Sequence, residues 1–403
     1  MPSPGRSLAM PYPQMHNPVL NPAVRLAPVE TGYLAYDPAA DRLHELNPVA
    51  ALIVELCDGS RPVREVQDLV KPLLPEGTAE EEVSRWIEEG ARAGLFTTAN
   101  GSPPPAREEL SAEELHKLAK RLRDRGKIET AYRCQRRATD LDPQDASAWS
   151  YLGDLAHILG WRDKTRAAYE KCLEIEPDDA EIRHLLIALR DEPPPPRASD
   201  ECIQQMYQRF SSFFEFNLCE ELSYQGPQRL HDLLKQVLGD KTGLAVLELG
   251  CGSGLAGLRL KEFAATMVGV DLSPEMIALA RARNIYDRLE VAEITQWLGR
   301  NQEQFDLVAS CDCLIYFGDL RQVAVPVAKI LVPGGILAFS VERGAEYPFR
   351  LTDNGRYTHT AEHIREVAAD AGLEVLRLDE GFLRTEYGED VIALFAALRN
   401  PVR

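Results

Sequence analysis

The sequence predicts a multidomain chain, with an N-terminal α+β module, a central pair of α-helical repeats and a C-terminal α/β doubly wound, Rossmann-like domain. Three observations predict it: a glycine-rich strand-to-helix turn within 244–273, a 34-residue self-similarity in the middle of the chain, and two proline-rich breaks. At 403 residues there is room for two or three domains. An apolar content of 45% supplies the packed cores they need.

The breaks come first because they set the parsing. GSPPPARE at 101–108 and DEPPPPRAS at 191–199 read as stiff, extended segments that cannot continue a helix. They predict domains at 18–100, 108–192 and 200–403.

The N-terminal module reads as a strand (Ala23 to Leu26) and a hairpin, GYLAYDPAADRLHEL, turning at Asp37–Asp41. Three helices follow at Pro48–Cys57, Val63–Leu73 and Ala79–Ala93, and the module closes on GLF. Asn47 before Pro48 is an N-cap with proline at the first helical position, and Gly94 stops the third helix. This succession resembles the PqqD-like domain, the winged-helix-like module of ribosomal peptide biosynthesis that binds the leader of a precursor peptide. The resemblance implies a leader groove formed by Arg42, Leu43, His44, Glu45 and Leu46 with Val83, Trp86, Ile87 and Arg92 on the third helix. An edge strand there can accept an extended peptide as a further strand. Leu43, Leu46, Val83 and Ile87 carry a core reading beside the contact reading. A DNA-reading winged helix is the rival, and the acidic helix EEEVSRWIEEG is poorly suited to face phosphates.

In the middle module a shift of 34 residues superimposes Leu115 on Trp149, Leu118 on Leu152, Ala119 on Gly153, Ala138 on Cys172 and Pro143 on Pro177. Each period holds two amphipathic helices, and the pattern resembles tetratricopeptide repeats. The first copy is degenerate, with Gln135 where the second has Tyr169. Two copies and a trailing helix (Ala180 to Arg190) fall below the three that make a free-standing solenoid, so packing against a neighbouring domain is expected. A spacer or dimer surface and a peptide-docking surface both remain open.

In the C-terminal module a strand (Ala245 to Leu249) runs into Gly250, Gly252 and Gly254, and a second strand (Met267 to Val270) ends on Asp271. Glycines at such a turn let the backbone approach a ligand closely, and an acid at the second strand end accepts from a ribose diol. The segment resembles motifs one and two of class I S-adenosylmethionine-dependent methyltransferases; a dinucleotide fold would show GxGxxG instead of GCGSG. The resemblance implies S-adenosyl-L-methionine as cofactor and S-adenosyl-L-homocysteine as product. Gly250, Cys251, Gly252, Ser253 and Gly254 would wrap the methionine part, and Glu248 would anchor the loop or meet the ammonium through water. Asp271 would take the ribose and Leu272 and Met276 would flank the adenine. Glu293, within VAEI, would accept the adenine amino group beside the backbone amide of Ile294. FDLVASCDCLIYFGDL resembles the fourth motif, ending over the cleft at Cys311-Asp312, and LVPGGILAFSVE the next turn and strand. Cys251 reads as a small-residue slot, since no basic partner is evident.

VERGAEYPFRLTDNGRYTHT resembles a pattern in bacterial methyltransferases fused to tetratricopeptide repeats, as does MYQRFSSFFEFNLCEELSY, which implies a lid carrying Tyr207, Phe210 and Phe214. Arg356, Tyr357 and His359 form the expected acceptor cluster. Arg356 would hold a substrate carboxylate and His359 would act as base, beside a structural reading of the histidine. Arg343, paired with Glu342, would orient the substrate.

The balance of charge, −18, argues against nucleic acid or an anionic membrane as partner. The eight cysteines form no CxxC pair and no zinc spacing, so no metal is expected. Reduced thiols, and the lack of a signal core or of a long apolar run, predict a cytoplasmic protein. The fourth motif is not of the Asn-Pro-Pro-Tyr type used on the amino groups of bases and glutamine. The expected function is methylation of a ribosomally made precursor peptide, with other modifying enzymes of the same pathway as further partners. Two rivals stand beside it: a methyltransferase of a small metabolite or folded protein, and a non-catalytic peptide-binding scaffold.

Overall fold

The apolar periodicities become separate cores in the computed structural model, which describes residues 17–75, 79–98, 109–210, 223–386 and 388–402. The chain divides into two units, Met1–Ala168 and Tyr169–Arg403. The 101–108 break, Phe214 and most of the expected lid lie outside the described residues.

The first unit opens with β1 (Pro18–Leu20), followed by β2 (Arg25–Val29), β3 (Gly32–Asp37) and β4 (Arg42–Leu46). Helices α1 (Pro48–Leu56), α2 (Val63–Val70) and α3 (Ala79–Arg92) lead to β5 (Phe96–Thr98), which pairs with β1. The Asn47 side chain accepts from the Ala50 N–H and Pro48 occupies the first turn, the cap that the sequence predicts. The second helix ends earlier than expected and tightens into a 3-10 turn over Lys71–Leu73. Pro72 explains this: its ring would clash with the carbonyl four residues back in an α-helix.

The antiparallel sheet β2-β3-β4 is covered on both faces. Leu26, Ala35 and Leu46 pack on Ile53, Val54, Val66, Val83 and Ile87. Ala27, Leu34 and Tyr36, on the alternate face, pack on Leu115, Leu118, Leu122, Ala131 and Cys134. These last residues belong to the first repeat, α4 (Ala112–Asp124) and α5 (Ile128–Leu141). Polar ties flank the contact: Arg25 with Glu114, Arg121 and Arg125 with Asp41, and the Thr130 hydroxyl donating to Glu45 at 2.6 Å. The hairpin therefore supplies the surface that a two-copy solenoid lacks. The repeat continues through α6 (Ala146–Ile158) and α7 (Arg162–Ile175), and the division between units falls within α7. The degenerate Gln135 is fully buried, donating to the Ala148 carbonyl at 2.8 Å with His116 Nδ1 at 2.9 Å.

The second unit begins with the rest of α7, then α8 (Ala180–Leu189), α9 (Asp200–Phe210) and α10 (Gly226–Leu238). A doubly wound sheet follows: β6 (Leu244–Leu249), α11 (Gly257–Leu260), β7 (Ala264–Asp271), α12 (Pro274–Ala282), β8 (Arg288–Val291), α13 (Ile294–Arg300), β9 (Phe305–Ser310), α14 (Arg321–Ile330) and β10 (Leu331–Arg343). After them come β11 (Phe349–Leu351), β12 (Tyr357–His359), α15 (Ala361–Asp370), β13 (Glu374–Glu386) and β14 (Glu389–Arg399). Strands β8-β7-β6-β9-β10 are parallel in that order. On the far side of β10 lie antiparallel β14 and then β13, while the end of β10 also carries β12. The order reverses between β6 and β9, and a crevice opens at such a reversal, beyond the carboxyl ends of the strands. Apolar layers cover the sheet on both faces.

The proline run at 191–199 is held along the second unit. Tyr357 donates to the Pro195 carbonyl at 2.6 Å, Gly318 N–H to Pro196 at 2.9 Å and Ala198 N–H to Tyr316 at 2.8 Å. The trailing helix α8 belongs to the same body, with His184 Nε2 3.0 Å from the Gly355 carbonyl.

Candidate active site

One cavity lies at the carboxyl ends of β6, β7 and β9, bounded by the β6–α11 turn, by Asp271 and Leu272, by Glu293 and Ile294, and by Cys311, Asp312 and Cys313. Tyr207 and Ile203 of α9 close it from above, with Arg197 at the rim and Arg356 and Arg384 at the other end.

The turn after β6 is shaped by its glycines. Gly250 has φ +65°, and a Cβ on it would stand 2.1 Å from Cys313 Sγ, so no larger residue fits. Gly252 (φ +51°) has open space where its side chain would be. Its N–H donates to Asp271 Oδ2 at 2.8 Å, and the Ser273 N–H donates to Oδ1 at 2.9 Å. Asp271 thus locks the turn with one lone pair on each oxygen and keeps the others for a ligand. Burial raises its pKa against these donors.

Glu248, at the end of β6, is buried and accepts from the Tyr286 hydroxyl at 2.7 Å. Burial pushes its carboxyl to about 8. Glu293 caps α13, accepting from the Thr295 and Gln296 N–H groups and the Thr295 hydroxyl. Burial would raise its pKa, but these hydrogen bonds and Arg197 leave it lowered. Cys311 Sγ lies 3.5 Å from the Tyr224 hydroxyl, and burial pushes the thiol to about 12, so it is not a nucleophile at neutral pH. Cys251 is buried with its pKa raised by burial, as a slot residue would be.

The cavity brings together Glu248, Gly250, Cys251, Gly252, Asp271, Leu272, Glu293, Ile294, Cys311 and Tyr207 from the expected cofactor set. Gly254 and Met276 stand outside its lining: Gly254 backs onto Arg283 and Tyr286, and Met276 is fully buried in α12. The glycine turn and the Asp271 carboxylate fit S-adenosylmethionine, which would meet them through its methionine and ribose parts.

The expected acceptor cluster is corrected. Of Arg356, Tyr357 and His359, only Arg356 reaches the cavity. Alternation along β12 turns Tyr357 away, to the Pro195 carbonyl. His359 is fully buried, its Nε2 3.0 Å from the Gly318 carbonyl and its ring stacked on His363. Burial lowers its pKa to about 4, and it cannot reach a substrate in the cavity. Arg356 is not free for a substrate carboxylate, since Glu386 binds it at 2.6 and 3.1 Å and Glu342 at 3.3 Å. Arg343 does not pair with Glu342; it is exposed and bound to Glu380 at 2.8 Å.

What the sequence reading missed is the buried ionic cluster behind this end of the cavity. Arg384 is 2% exposed and contacts Glu342, Asp312 Oδ2 at 3.1 Å and Glu386 at 3.1 and 3.2 Å. Its neighbour Leu383 is buried too, although neighbours on a strand alternate. A register shift between Phe382 and Arg384 on β13 resolves this, for a bulge re-aims a side chain.

On the N-terminal module, β4 pairs only with β3 among the described residues. Arg42 is exposed and donates to the Ala93 carbonyl at the end of α3, and half-buried His44 lies beside the same group. Leu43 packs toward α4 and α5, and Glu45 is tied to Thr130 and Arg133. Leu46 joins the core with Val83 and Ile87, and Trp86 sits edge-on to Phe96.

Family models match residues 247–339 (methyltransferase domain), 32–95 (coenzyme PQQ synthesis protein D, PqqD) and 146–179 (tetratricopeptide repeat). A ubiquinone biosynthesis O-methyltransferase of Bordetella avium is 28% identical over 169 residues, spanning 37% of this chain and 69% of that protein. Among solved structures, the cyclase SpnF is 19% identical with a TM-score of 0.43, covering 52% of this chain and 99% of its own. The N-methyltransferase NodS of Bradyrhizobium japonicum, with S-adenosyl-L-homocysteine, is 25% identical with a TM-score of 0.36, covering 43% and 86%. The chain is an S-adenosylmethionine-dependent methyltransferase with a class I catalytic domain, carrying a PqqD domain and a tetratricopeptide repeat ahead of it.

Proposed function

We propose that this enzyme methylates a ribosomally synthesised precursor peptide whose leader is held by the PqqD domain, in the cytoplasm and beside other enzymes that modify the same peptide. The observation that carries the reading is the edge strand β4, paired on one side only among the described residues, in a PqqD domain on the same chain as the methyltransferase. An extended leader adds to that edge by main-chain hydrogen bonds, with Arg42 and His44 toward α3 and Leu43 and Glu45 toward α5. Linking leader capture to catalysis on one chain raises the effective concentration of the core peptide, so the leader site itself can be weak. The domains run 18–100, 108–192 and 200–403, with the described cavity residues holding the cofactor. The cofactor supplies an activated methyl group; the protein supplies proximity and in-line orientation.

The test is mass spectrometry of candidate precursor peptides incubated with S-adenosylmethionine and the full chain, each peptide with its leader, without it, or with the leader added separately. Gain of one methylene mass that depends on the leader supports the reading. Equal methylation without the leader refutes a guiding role, and failure on every peptide favours a small metabolite or a folded protein as substrate.

A further inference from the structure

We propose that Asp312 is the residue that meets the methyl acceptor, and that the acceptor is an N–H or O–H group rather than a carboxylate. The proposal deepens the methyltransferase reading of this cavity and rests on it. The glycine turn of β6 and Asp271 of β7 occupy one side of the strand-order reversal; β9 delivers Asp312 on the other. A cofactor on the first side leaves the second for the acceptor.

Asp312 is held there firmly. Its backbone takes φ +52°, its N–H donates to Ser340 Oγ at 2.8 Å, and its Oδ2 is bound by Arg384 at 3.1 Å. Its Oδ1 is buried and has no hydrogen-bond partner among the described residues, and the residue lines the cavity. A buried carboxylate oxygen without a partner is costly, and a donor arriving on a substrate removes that cost.

The surrounding charge points the same way. Asp312, Glu342 and Glu386 face Arg356 and Arg384, three carboxylates against two guanidiniums. Both cations are consumed within the cluster, which keeps one negative charge in excess. A carboxylate acceptor would meet repulsion there, whereas a neutral or cationic donor is attracted. In the reaction the acceptor lone pair forms the bond to the methyl carbon, the carbon–sulfur bond breaks with its electron pair going to sulfur, and the N–H or O–H proton passes to Asp312 Oδ1. Burial raises the Asp312 pKa, which suits an oxygen that takes a proton.

The test needs no known substrate. S-adenosylhomocysteine and sinefungin, which bears an ammonium where the cofactor bears its methyl, are titrated by calorimetry into the full chain and into Asp312→Asn. Asparagine tolerates a positive φ and keeps an oxygen toward Arg384. Sinefungin is expected to lose about tenfold or more in affinity, the worth of one charge-assisted hydrogen bond, while S-adenosylhomocysteine changes less than about threefold. Unchanged sinefungin binding, or an equal loss for both ligands, overturns the proposal. Absence of S-adenosylhomocysteine binding by the unaltered chain overturns the cavity assignment instead. A second readout uses the unaltered enzyme and any peptide it methylates: the product must survive mild alkali, and a methyl group lost to base marks an ester and refutes the acceptor class.

Discussion

Replacing Gly250 by alanine sets the β6 turn against Cys313, in the segment that follows β9. Two costs are separable. The added methyl group would stand 2.1 Å from Cys313 Sγ and 2.5 Å from its Cβ, well inside contact distance, so side chain or backbone must shift. Overpacking of this kind costs about 1–3 kcal/mol. The backbone at φ +65° adds about 1–2 kcal/mol for a residue with a Cβ. Together they amount to roughly 2–5 kcal/mol, a large share of the ~5–15 kcal/mol that holds a domain folded. The contact term can be removed alone: in Gly250→Ala with Cys313→Gly the nearest remaining Cys313 atom is the Cα at 3.9 Å, an ordinary contact. Urea unfolding of the four proteins in a double-mutant cycle, with S-adenosylhomocysteine titration in parallel, measures the coupling. We expect about 1–3 kcal/mol of favourable coupling, with the dihedral cost left behind. A coupling near zero would refute the packing of the turn on Cys313, and a Gly250→Ala protein with unaltered stability and affinity would refute the left-handed turn itself.

Two further outcomes test features away from the turn. His359 is buried and neutral with its pKa lowered from 6.5 to about 4, so between those values the unfolded chain binds more protons and stability falls as pH falls; urea unfolding of His359→Gln between pH 7 and 4 should lack about 3 kcal/mol of that acid loss, and an unchanged slope would contradict its burial. Gln135→Ala should destabilise the first unit by about 2–4 kcal/mol through cavity formation and an orphaned His116, read as an earlier chemical-denaturation midpoint; a change below ~0.5 kcal/mol would mean that the glutamine is not packed between the helices.

The parts legible in the sequence are those whose physics is local. Asn47–Pro48, the Asp37–Asp41 turn and the run from Leu244 to Asp271 each carry their geometry within a few residues, and the structure places them as turn, cap and strand end. The acceptor side is not legible in the sequence because neighbours along residues 356–359 are not neighbours in space. Arg356, just ahead of β12, lines the cavity, while Tyr357 and His359, two apart on β12, share a side that does not. Arg384 and Glu386 lie more than seventy residues beyond Asp312, on a strand whose bulge breaks the expected alternation. Charged residues recur along the whole of β13, at Glu374, Arg377, Asp379 and Glu380 as well as Arg384 and Glu386, so nothing in the local pattern marks the last two as the ones in the buried cluster.

The tacked-down proline run bears on how such enzymes can be recombined. Prolines in a row invite a cut between modules, yet a junction placed at Arg197 would remove the Pro195 carbonyl that receives the Tyr357 hydroxyl, the Pro196 carbonyl that receives Gly318, and the whole of α8. Tyr316 and Phe317, whose backbones are stitched to this run, are also walls of the cavity. A graft of this catalytic body onto another N-terminal module should therefore carry its own last repeat helix with it, starting ahead of the Asp179 cap. The hydrogen bonds of the proline run and of α8 go to the catalytic body, so an exchange of the N-terminal module takes only part of the repeat with it.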